Sequence, residues 1–389
     1  MIIDQMALEY NLSNPYDIQV EPRHWGGEEA LVEGLAVSIQ DPPSLVVLPP
    51  EYRAGFTELG LPFQDLTPLI QHSSPEIGMN GLSDYQESLL QPVVEGNQIF
   101  GLPAAGNTWV MAYNKTWAKM LGFNESPSNW QEFRDQSCAA AKANNRLADR
   151  KLRGTGGLLI DLSPDTSLAW FHSFGKPIPY GTAEAAAFSF TAYQTVFEKI
   201  KSLSLEGCAW SGRSPYPDMY FANRTALFVS VPISEASAFR KTMTATKSTD
   251  EWEILPFPGE MVSDTWLADM DYYFLTATEY PNQLATWFFL KWLSTPEQEL
   301  RLALSDGMLP ARKITWDVVI QANQLPPQQI DWMSKHSVST VSAYQSGWLN
   351  GKAILADGYR QIMQTNTTIE DIAGVLKSMD TFAQEMESQ

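Results

Sequence analysis

Residues 98–115 read Gln-Ile-Phe-Gly-Leu-Pro-Ala-Ala-Gly-Asn-Thr-Trp-Val-Met-Ala-Tyr-Asn-Lys, and the rest of the sequence is organised around them. Two short runs typical of β-strands, 98–101 and 109–114, flank a connection rich in Pro, Ala and Gly. That connection is too short to link independent domains, but its composition allows the chain to change direction. We therefore expect this stretch to be the first crossing between two lobes.

The sequence ahead of this stretch alternates helical and strand-like segments. Helical spacing covers 2–12 and 28–38, a short strand is predicted over 17–21, and an apolar run predicts a buried, parallel strand over 44–48. This order predicts an α/β fold with right-handed crossovers. Ligands of such sheets collect at the carboxyl ends of strands, which here means residues 25–27 and 49–53.

A late strand at 272–277 shares the apolar character of the first-lobe strands. If it returns to that lobe, the chain crosses at about 108–112, 258–262 and 312–316. We expect a first lobe of residues 1–108 and 260–312 and a second lobe of residues 109–259 and 313–389. Several crossings around a cleft suit a binding protein that closes about a hinge.

The composition excludes several classes of partner. Among 389 residues, 45 are acidic and 26 are basic, which gives a net charge of −19. So negative a surface repels nucleic acids and anionic lipid headgroups. The sequence has no apolar run of 18 residues, and its start has neither the basic residues nor the apolar core of a signal peptide. Taken alone, these features indicate a cytoplasmic protein or an exported one whose signal lies outside this sequence.

The signals for catalysis and for cofactors are weak. The four histidines are scattered, no phosphate-binding glycine loop is present, and we expect neither a metal nor a cofactor. Asp269 and Asp271 flank Met270, but a chance pair of carboxylates is expected among 45 acidic residues. Cys138 and Cys208 are either two buried thiols or a disulfide, and the loop position of Cys208 favours the disulfide.

Aromatic residues in or beside loops give a stronger signal, because a sugar ring stacks its C–H face on an aromatic side chain. The candidates are Trp25, Trp109, Tyr180, Trp210 and Trp266. The sugar hydroxyls need polar partners, for which Glu51, Asn107, Thr108 and Asp271 lie in the predicted cleft loops or beside the hinge. The alternative for each Trp is packing in a core. As a set, these residues predict a cleft for a polar organic solute.

Five segments, in order along residues 98–313, resemble the extracellular solute-binding proteins of ABC importers, the family that includes maltose-binding and other sugar-binding proteins. They are Ile-Phe-Gly-Leu-Pro with Trp-Val-Met-Ala-Tyr-Asn-Lys (99–115), Pro-Ser-Asn-Trp-Gln-Glu-Phe (127–133), Phe-Ala-Asn-Arg-Thr-Ala-Leu-Phe (221–228), Ala-Thr-Trp-Phe-Phe-Leu-Lys-Trp-Leu-Ser-Thr-Pro-Glu (285–297) and Gly-Met-Leu-Pro-Ala-Arg-Lys (307–313).

The resemblance implies a two-lobed periplasmic-binding-protein fold, each lobe a mainly parallel sheet flanked by helices, joined by a multi-segment hinge. It implies a monomer without enzymatic activity that closes on a sugar or oligosaccharide and delivers it to a membrane permease. It places the protein in the periplasm or on the outer cell surface. That compartment would make a bond between Cys138 and Cys208 plausible.

The sequence departs from the family pattern at two places. The family opens with a strand before its first helix, whereas this sequence starts directly with helical spacing. Either that strand and the export signal are missing, or the sheet of the first lobe lacks a strand. Residues 266–273 are bulky and acidic where the family often has glycine. The acidic pair leaves two alternatives open, namely a cationic or amine-bearing solute and a carbohydrate-active enzyme with paired cleft carboxylates.

Overall fold

The computed structural model describes residues 2–74, 76, 78–79, 82–146, 152–176, 189–212, 216–260, 265–339 and 348–387. The α-helices in these residues are α1 (Ile2–Ser13), α2 (Glu28–Val37), α3 (Tyr52–Glu58), α4 (Thr67–Ile70), α5 (Glu87–Leu90), α6 (Lys115–Met120), α7 (Trp130–Arg146), α8 (Pro164–Ser173), α9 (Gln194–Leu205), α10 (Pro217–Ala222), α11 (Ala236–Ala245), α12 (Tyr280–Leu293), α13 (Pro296–Asp306), α14 (Lys313–Ala322), α15 (Pro327–Lys335), α16 (Trp348–Met363) and α17 (Ile372–Glu387). The strands are β1 (Leu45–Leu48), β2 (Val94–Glu95), β3 (Gln98–Ile99), β4 (Leu102–Asn114), β5 (Leu158–Leu159), β6 (Ala209–Trp210), β7 (Phe228–Pro232), β8 (Trp252–Leu255), β9 (Thr265–Leu275), β10 (Leu309–Pro310) and β11 (Ser337–Ser339). None of the described helices is long and apolar enough to cross a membrane.

The chain divides into two compact units. Unit 1 contains Met1–Asn107, Ala268–Leu325 and Val338–Ser346, and unit 2 contains Thr108–Leu267, Pro326–Ser337 and Gly347–Gln389. Residues from 313 onward were expected in the second lobe. In the structure α14 lies in unit 1, where it packs against α13 and β10.

The central stretch of the sequence forms a continuous strand rather than two runs and a connection. All 13 residues of β4 are extended, so the connection expected between two short runs is itself part of a strand. Gly106 makes the continuity possible, because a Cβ at that position would lie 2.0 Å from Sδ of Met270 and 2.6 Å from the carbonyl oxygen of Asp269. Only glycine lets β4 come this close to β9.

The sheet of unit 1 has the strand order β1-β9-β4, with β10 paired to β4. β1 pairs with β9 in antiparallel register, Leu45 opposite Leu275 and Leu48 opposite Tyr272. β10 is also antiparallel to β4. The expectations of a parallel strand at 44–48 and of a mainly parallel sheet were therefore wrong for these pairs. A four-residue apolar run indicates burial but carries no information about strand direction.

The core of unit 1 lies between this sheet and the helices α1 and α12. Met6 and Tyr10 of α1 pack with Trp287 and Leu290 of α12, and all four side chains are buried. The helical spacing of apolar residues at the start of the sequence therefore predicted α1 correctly. The apolar face of α1 needs the helix α12, almost 280 residues later, to complete the core.

Unit 2 has a sheet of mixed direction. The second half of β4 pairs in antiparallel register with β7 and β8. β5 pairs in parallel register with β7 and with β6. An aromatic cluster fills the core beside the sheet, where Phe133 contacts Phe228 and Trp170 at ring-centroid distances of 4.7 and 5.7 Å. A disulfide joins Cys138 of α7 to Cys208, the residue before β6, which confirms the predicted bond.

Candidate functional site

In unit 1, half-buried polar side chains alternate with buried ones on two neighbouring strands. Asn107 at the unit 1 end of β4 is half-buried, whereas Gly106 before it is buried. Asp269 and Asp271 of β9 are half-buried, and Met270 between them is 1 % exposed. Side chains of a strand alternate between its two faces, so the two carboxylates share one face of β9. This polar row, formed by Asn107, Asp269 and Asp271, is the best candidate for solute contacts in unit 1.

Asn107 and Asp271 of this row were predicted as solute contacts from the sequence, whereas Asp269 was not. The sequence contained a signal for Asp269, because apolar and acidic residues alternate at a period of two over 268–272. In the structure, Asp269 is half-buried like Asp271 and lies on the same face of β9.

The first residues of unit 2 carry Thr108 and Trp109. Thr108 is 1 % exposed, and its hydroxyl donates a hydrogen bond of 2.7 Å to the carbonyl oxygen of Leu267. It therefore fastens β4 to β9. Trp109 is half-buried opposite Pro232 of β7, and its buried Nε1–H has no acceptor within the described part of the chain. A solute contact at either residue stays a prediction.

Trp266 and Trp210 both have protein contacts in unit 2. Trp266 is 6 % exposed, and its ring packs edge-on against Trp332 at 5.6 Å and against His336 at 5.5 Å. Trp210 is half-buried and donates from Nε1 to the carbonyl oxygen of Gly156 at 2.8 Å. These contacts are those expected of residues that pack the fold. The structure leaves their predicted role in binding untested.

The remaining predicted residues are Trp25, Glu51 and Tyr180, and their predicted contacts with a solute stay predictions. Trp25 is half-buried, and its ring packs on Gly34 of α2. A Cβ added at Gly34 would lie 2.1 Å from the indole nitrogen of Trp25. Trp25 lines a cavity of about 900 Å³ in unit 1, and no other residue predicted for the site lines that cavity. Glu51 is 6 % exposed and directly precedes α3. Tyr180 lies outside the described residues.

A buried ionic group anchors the residues that follow β10 to α13. The backbone N–H groups of Ala311 and Arg312 donate to one carboxylate oxygen of Glu299, at 2.5 and 3.1 Å. The guanidinium of Arg312 lies 4.4 Å from the ring centroid of Tyr85 and donates from Nε to the carbonyl oxygen of Ser294 at 2.8 Å. Burial raises the pKa of Glu299, an effect opposed by these hydrogen bonds and by Arg312. These contacts of the Pro-Ala-Arg segment, residues 310–312, stabilise the fold of unit 1.

Metal binding finds no support in the part of the chain that the structure describes. The cluster of metal-ligating atoms with suitable spacing consists of Cys138, Glu206 and Cys208. The disulfide already uses both sulfur atoms of this cluster. The donor set is therefore unsuited to a metal while the disulfide is intact.

Comparison with protein families assigns the class. The family model for the bacterial extracellular solute-binding proteins matches residues 5–325, so the chain belongs to this family. Its members are binding proteins rather than enzymes. The match confirms the resemblance carried by the five sequence segments. No protein with a curated function matches the sequence.

Solved structures with similar folds are distant in sequence. The sugar-binding protein MalE from Xanthomonas citri has a TM-score of 0.78 and 15% identity, with 100% of this chain and 95% of that chain covered. UgpB from Mycobacterium tuberculosis, in complex with glycerophosphocholine, has a TM-score of 0.77, 15% identity and coverages of 100% and 96%. An ABC substrate-binding protein from Listeria monocytogenes, in complex with cycloalternan, has a TM-score of 0.74, 15% identity and coverages of 100% and 96%. The chain therefore shares their mixed α/β fold over its full length.

Proposed function

We propose that this protein captures a sugar or oligosaccharide and delivers it to the permease of an ABC importer. The observation that carries the proposal is the polar row of Asn107, Asp269 and Asp271, in which half-buried polar residues alternate with buried ones on two neighbouring strands. Carboxylate and amide groups form hydrogen bonds with sugar hydroxyls, which both donate and accept. Capture by closure of two lobes stays the expectation from the sequence.

The chemistry of the row suits a polyol. Each carboxylate oxygen accepts hydrogen bonds and the amide of Asn107 both donates and accepts, so adjacent hydroxyls find complementary partners. Two of the solved structures named above are described as a sugar-binding protein and as a complex with cycloalternan, which supports the same class of solute.

A cationic or amine-bearing solute is the second candidate. Asp269 and Asp271 place two carboxylates on one face of β9. Two neighbouring negative charges attract a cationic solute, whereas a neutral sugar gains nothing from this charge–charge attraction. The neighbour UgpB was solved with glycerophosphocholine, and choline carries a quaternary ammonium group. This candidate differs from the first in one measurable respect, namely the dependence of affinity on salt.

The family description and the disulfide support an extracytoplasmic location, which suits the proposed role. The family is described as extracellular, and a disulfide such as Cys138–Cys208 persists in oxidising compartments. We propose that the protein works in the periplasm or at the outer cell surface as a monomer. Mass spectrometry of the secreted fraction of the source cells, with and without alkylation before reduction, tests both the location and the bond.

A thermal-shift screen tests the proposed function. The panel contains maltose, maltotriose, cyclic tetrasaccharides, glycerophosphocholine, choline and spermidine. A solute at a hundredfold excess over its dissociation constant should stabilise the protein by about 2.7 kcal/mol. We expect a shift with at least one oligosaccharide, largely insensitive to salt between 0.05 and 0.5 M. A shift with the cations alone, abolished by salt, would favour the second candidate. Absence of any shift would contradict both.

A further inference from the structure

Met120, the last residue of α6 in unit 2, exposes its thioether to solvent. The residue is 67 % exposed, compared with 43 % for Met219 and 46 % for Met386. Isolated apolar residues are common at protein surfaces, so exposure alone carries no function. The feature that distinguishes Met120 is the partner of its sulfur atom.

That partner is the guanidinium of Arg224, which donates a hydrogen bond from Nη1 to Sδ of Met120 at 3.3 Å. A thioether is a weak hydrogen-bond acceptor, so the contact joins a strong cationic donor to a poor acceptor. No described residue donates a hydrogen bond to the sulfur atom of Met219 or Met386. Met120 therefore differs from other exposed methionines in having a cationic group at bonding distance.

The guanidinium of Arg224 is held in place by Asp250. Its Nε donates to one carboxylate oxygen at 2.7 Å, and its Nη2 donates to the other. The side chain of Asp250 is 3 % exposed, and two parallel bonds of this kind fix the orientation of a guanidinium. Arg224 is thus a rigid donor, and its Nη1 is directed at Met120.

The same ion pair is linked to both ends of α6. At the N-terminal end, Asn114 accepts a hydrogen bond from the backbone N–H of Trp117 and donates from its amide to Asp250, both at 2.8 Å. At the C-terminal end, Met120 accepts from Arg224. The second link is the weaker one, because its acceptor is a thioether. A better acceptor at position 120 would therefore fasten the C-terminal end of α6.

We propose that Met120 is an oxidation site and that its sulfoxide is held by Arg224. The oxidant is a hydroperoxide such as hydrogen peroxide. A lone pair of the sulfur atom attacks one peroxide oxygen, so that an S–O bond forms and the O–O bond breaks. The departing hydroxide takes the proton of the transferred hydroxyl and leaves as water. The sulfur atom is oxidised by two electrons, and the peroxide is reduced by two.

The sulfoxide suits this position. Oxidation makes the side chain polar, and the new oxygen turns the contact with Arg224 into a charge-assisted N–H···O bond. A methionine side chain is unbranched and flexible, and Met120 is exposed, so the oxygen can meet the fixed guanidinium without displacing core residues. Oxidation of the buried Met111 would instead place a polar group in the core.

The modification is reversible, because methionine sulfoxide reductases convert the sulfoxide back to the thioether. Met120 would therefore act as an oxidation-dependent link between α6 and the ion pair of Arg224 with Asp250.

Limited oxidation with hydrogen peroxide, followed by mass spectrometry of peptides, tests the site itself. We expect Met120 to gain one oxygen atom at least as fast as Met219 and Met386, and at least about tenfold faster than the buried Met111. An unmodified Met120 in protein whose Met219 and Met386 are oxidised would overturn the proposal.

Hydrogen exchange at single amides tests the bond to Arg224. The reporter is the amide of Leu121, which donates to the carbonyl oxygen of Trp117 at 3.1 Å at the end of α6. Oxidation should slow its exchange by at least about threefold, and a methionine sulfoxide reductase should restore the original rate. Met120→Leu, treated in the same way, should show no change. Unchanged or faster exchange in the oxidised wild type, or equal slowing in Met120→Leu, would contradict the proposal.

The variant Arg224→Lys tests the donor. Lysine keeps the positive charge but lacks the planar fork that bonds Asp250 and Met120 together. Oxidation of this variant should leave exchange at Leu121 unchanged, and slowing equal to that of the wild type would overturn the role of Arg224. If the variant folds poorly, NMR of the guanidinium protons of Arg224 in the wild type replaces it. Their signals should move downfield on oxidation, and unmoved signals would contradict the proposal.

Discussion

The two sheets of this protein differ at their edges. In unit 2 the short edge strand β6 is fastened by the disulfide at Cys208 and by the hydrogen bond from Trp210 to Gly156. In unit 1 the edge strand β1 borders a cavity of about 900 Å³. The sheet edge in unit 2 therefore has covalent and hydrogen-bonded links to the rest of its unit, whereas the sheet edge in unit 1 borders a cavity.

Removal of the disulfide should have the largest effect and should be confined to unit 2. The double variant Cys138→Ala/Cys208→Ala frees a loop of 70 residues, and the chain-entropy model gives a loss of roughly 4 kcal/mol. Urea unfolding followed by hydrogen exchange of peptides from each unit measures the loss separately. Reduction of the unmodified protein should reproduce it. An equal loss of stability in unit 1 would break the comparison.

The substitution Gly106→Ala should destabilise unit 1 by about 2–3 kcal/mol. The new Cβ would meet both the side chain of Met270 and the backbone of Asp269, and a backbone clash is relieved only by moving β4 away from β9. The control Gly55→Ala lies in α3 with nothing within 4 Å, and it should stabilise the same unit by about 0.5–1 kcal/mol. An unchanged free energy of unfolding in Gly106→Ala would show that β4 and β9 are not closely packed at this position.

The substitution Asp250→Asn should cost unit 2 about 1.5–3 kcal/mol at neutral pH. Hydrogen bonds from Arg224 lower the pKa of Asp250 below its ordinary value of 3.8, and a bond from Asn114 adds to the effect. A lowered pKa contributes stability that is present above 3.8 and lost as the pH falls through the folded-state value. The difference between wild type and variant in urea unfolding should therefore shrink from pH 6 to pH 3.

Two observations check that prediction. Asp317→Asn on the exposed face of α14 should show neither the loss nor the pH dependence. Arg224 has a left-handed backbone, with φ of 54°, a conformation that glycine adopts without steric cost. Arg224→Gly should thus relieve backbone strain but lose the ion pair with Asp250. A pH-independent effect of Asp250→Asn would mean that its carboxylate is not held by Arg224.

Local signals in the sequence predicted the elements whose formation depends on near neighbours. The spacing of Met6 and Tyr10 gave α1, and the loop position of Cys208 favoured the disulfide that the structure shows. The family followed from five short segments that the family match confirms. The polar row was partly predicted, since Asp271 and Asn107 were selected from their positions beside strands.

Contacts between distant residues decided what the sequence did not reveal. The connection before Trp109 is a strand because Gly106 packs on β9, more than 160 residues later. The direction of β1 depends on its pairing with β9, and a short apolar run does not encode that choice. Trp25 packs on Gly34 and Trp266 packs on Trp332, contacts that the sequence did not reveal. Their predicted roles as solute contacts stay predictions.

Calorimetric titration of Asp271→Asn with the oligosaccharide selected by the thermal-shift screen tests the central claim most directly. The claim is that the polar row on β4 and β9 recognises the solute. We expect the dissociation constant to rise by at least about tenfold, because a hydrogen bond to a carboxylate contributes about 1.5–3 kcal/mol. Asp317→Asn should bind like the wild type. Unchanged affinity in Asp271→Asn, together with normal folding, would contradict the claim.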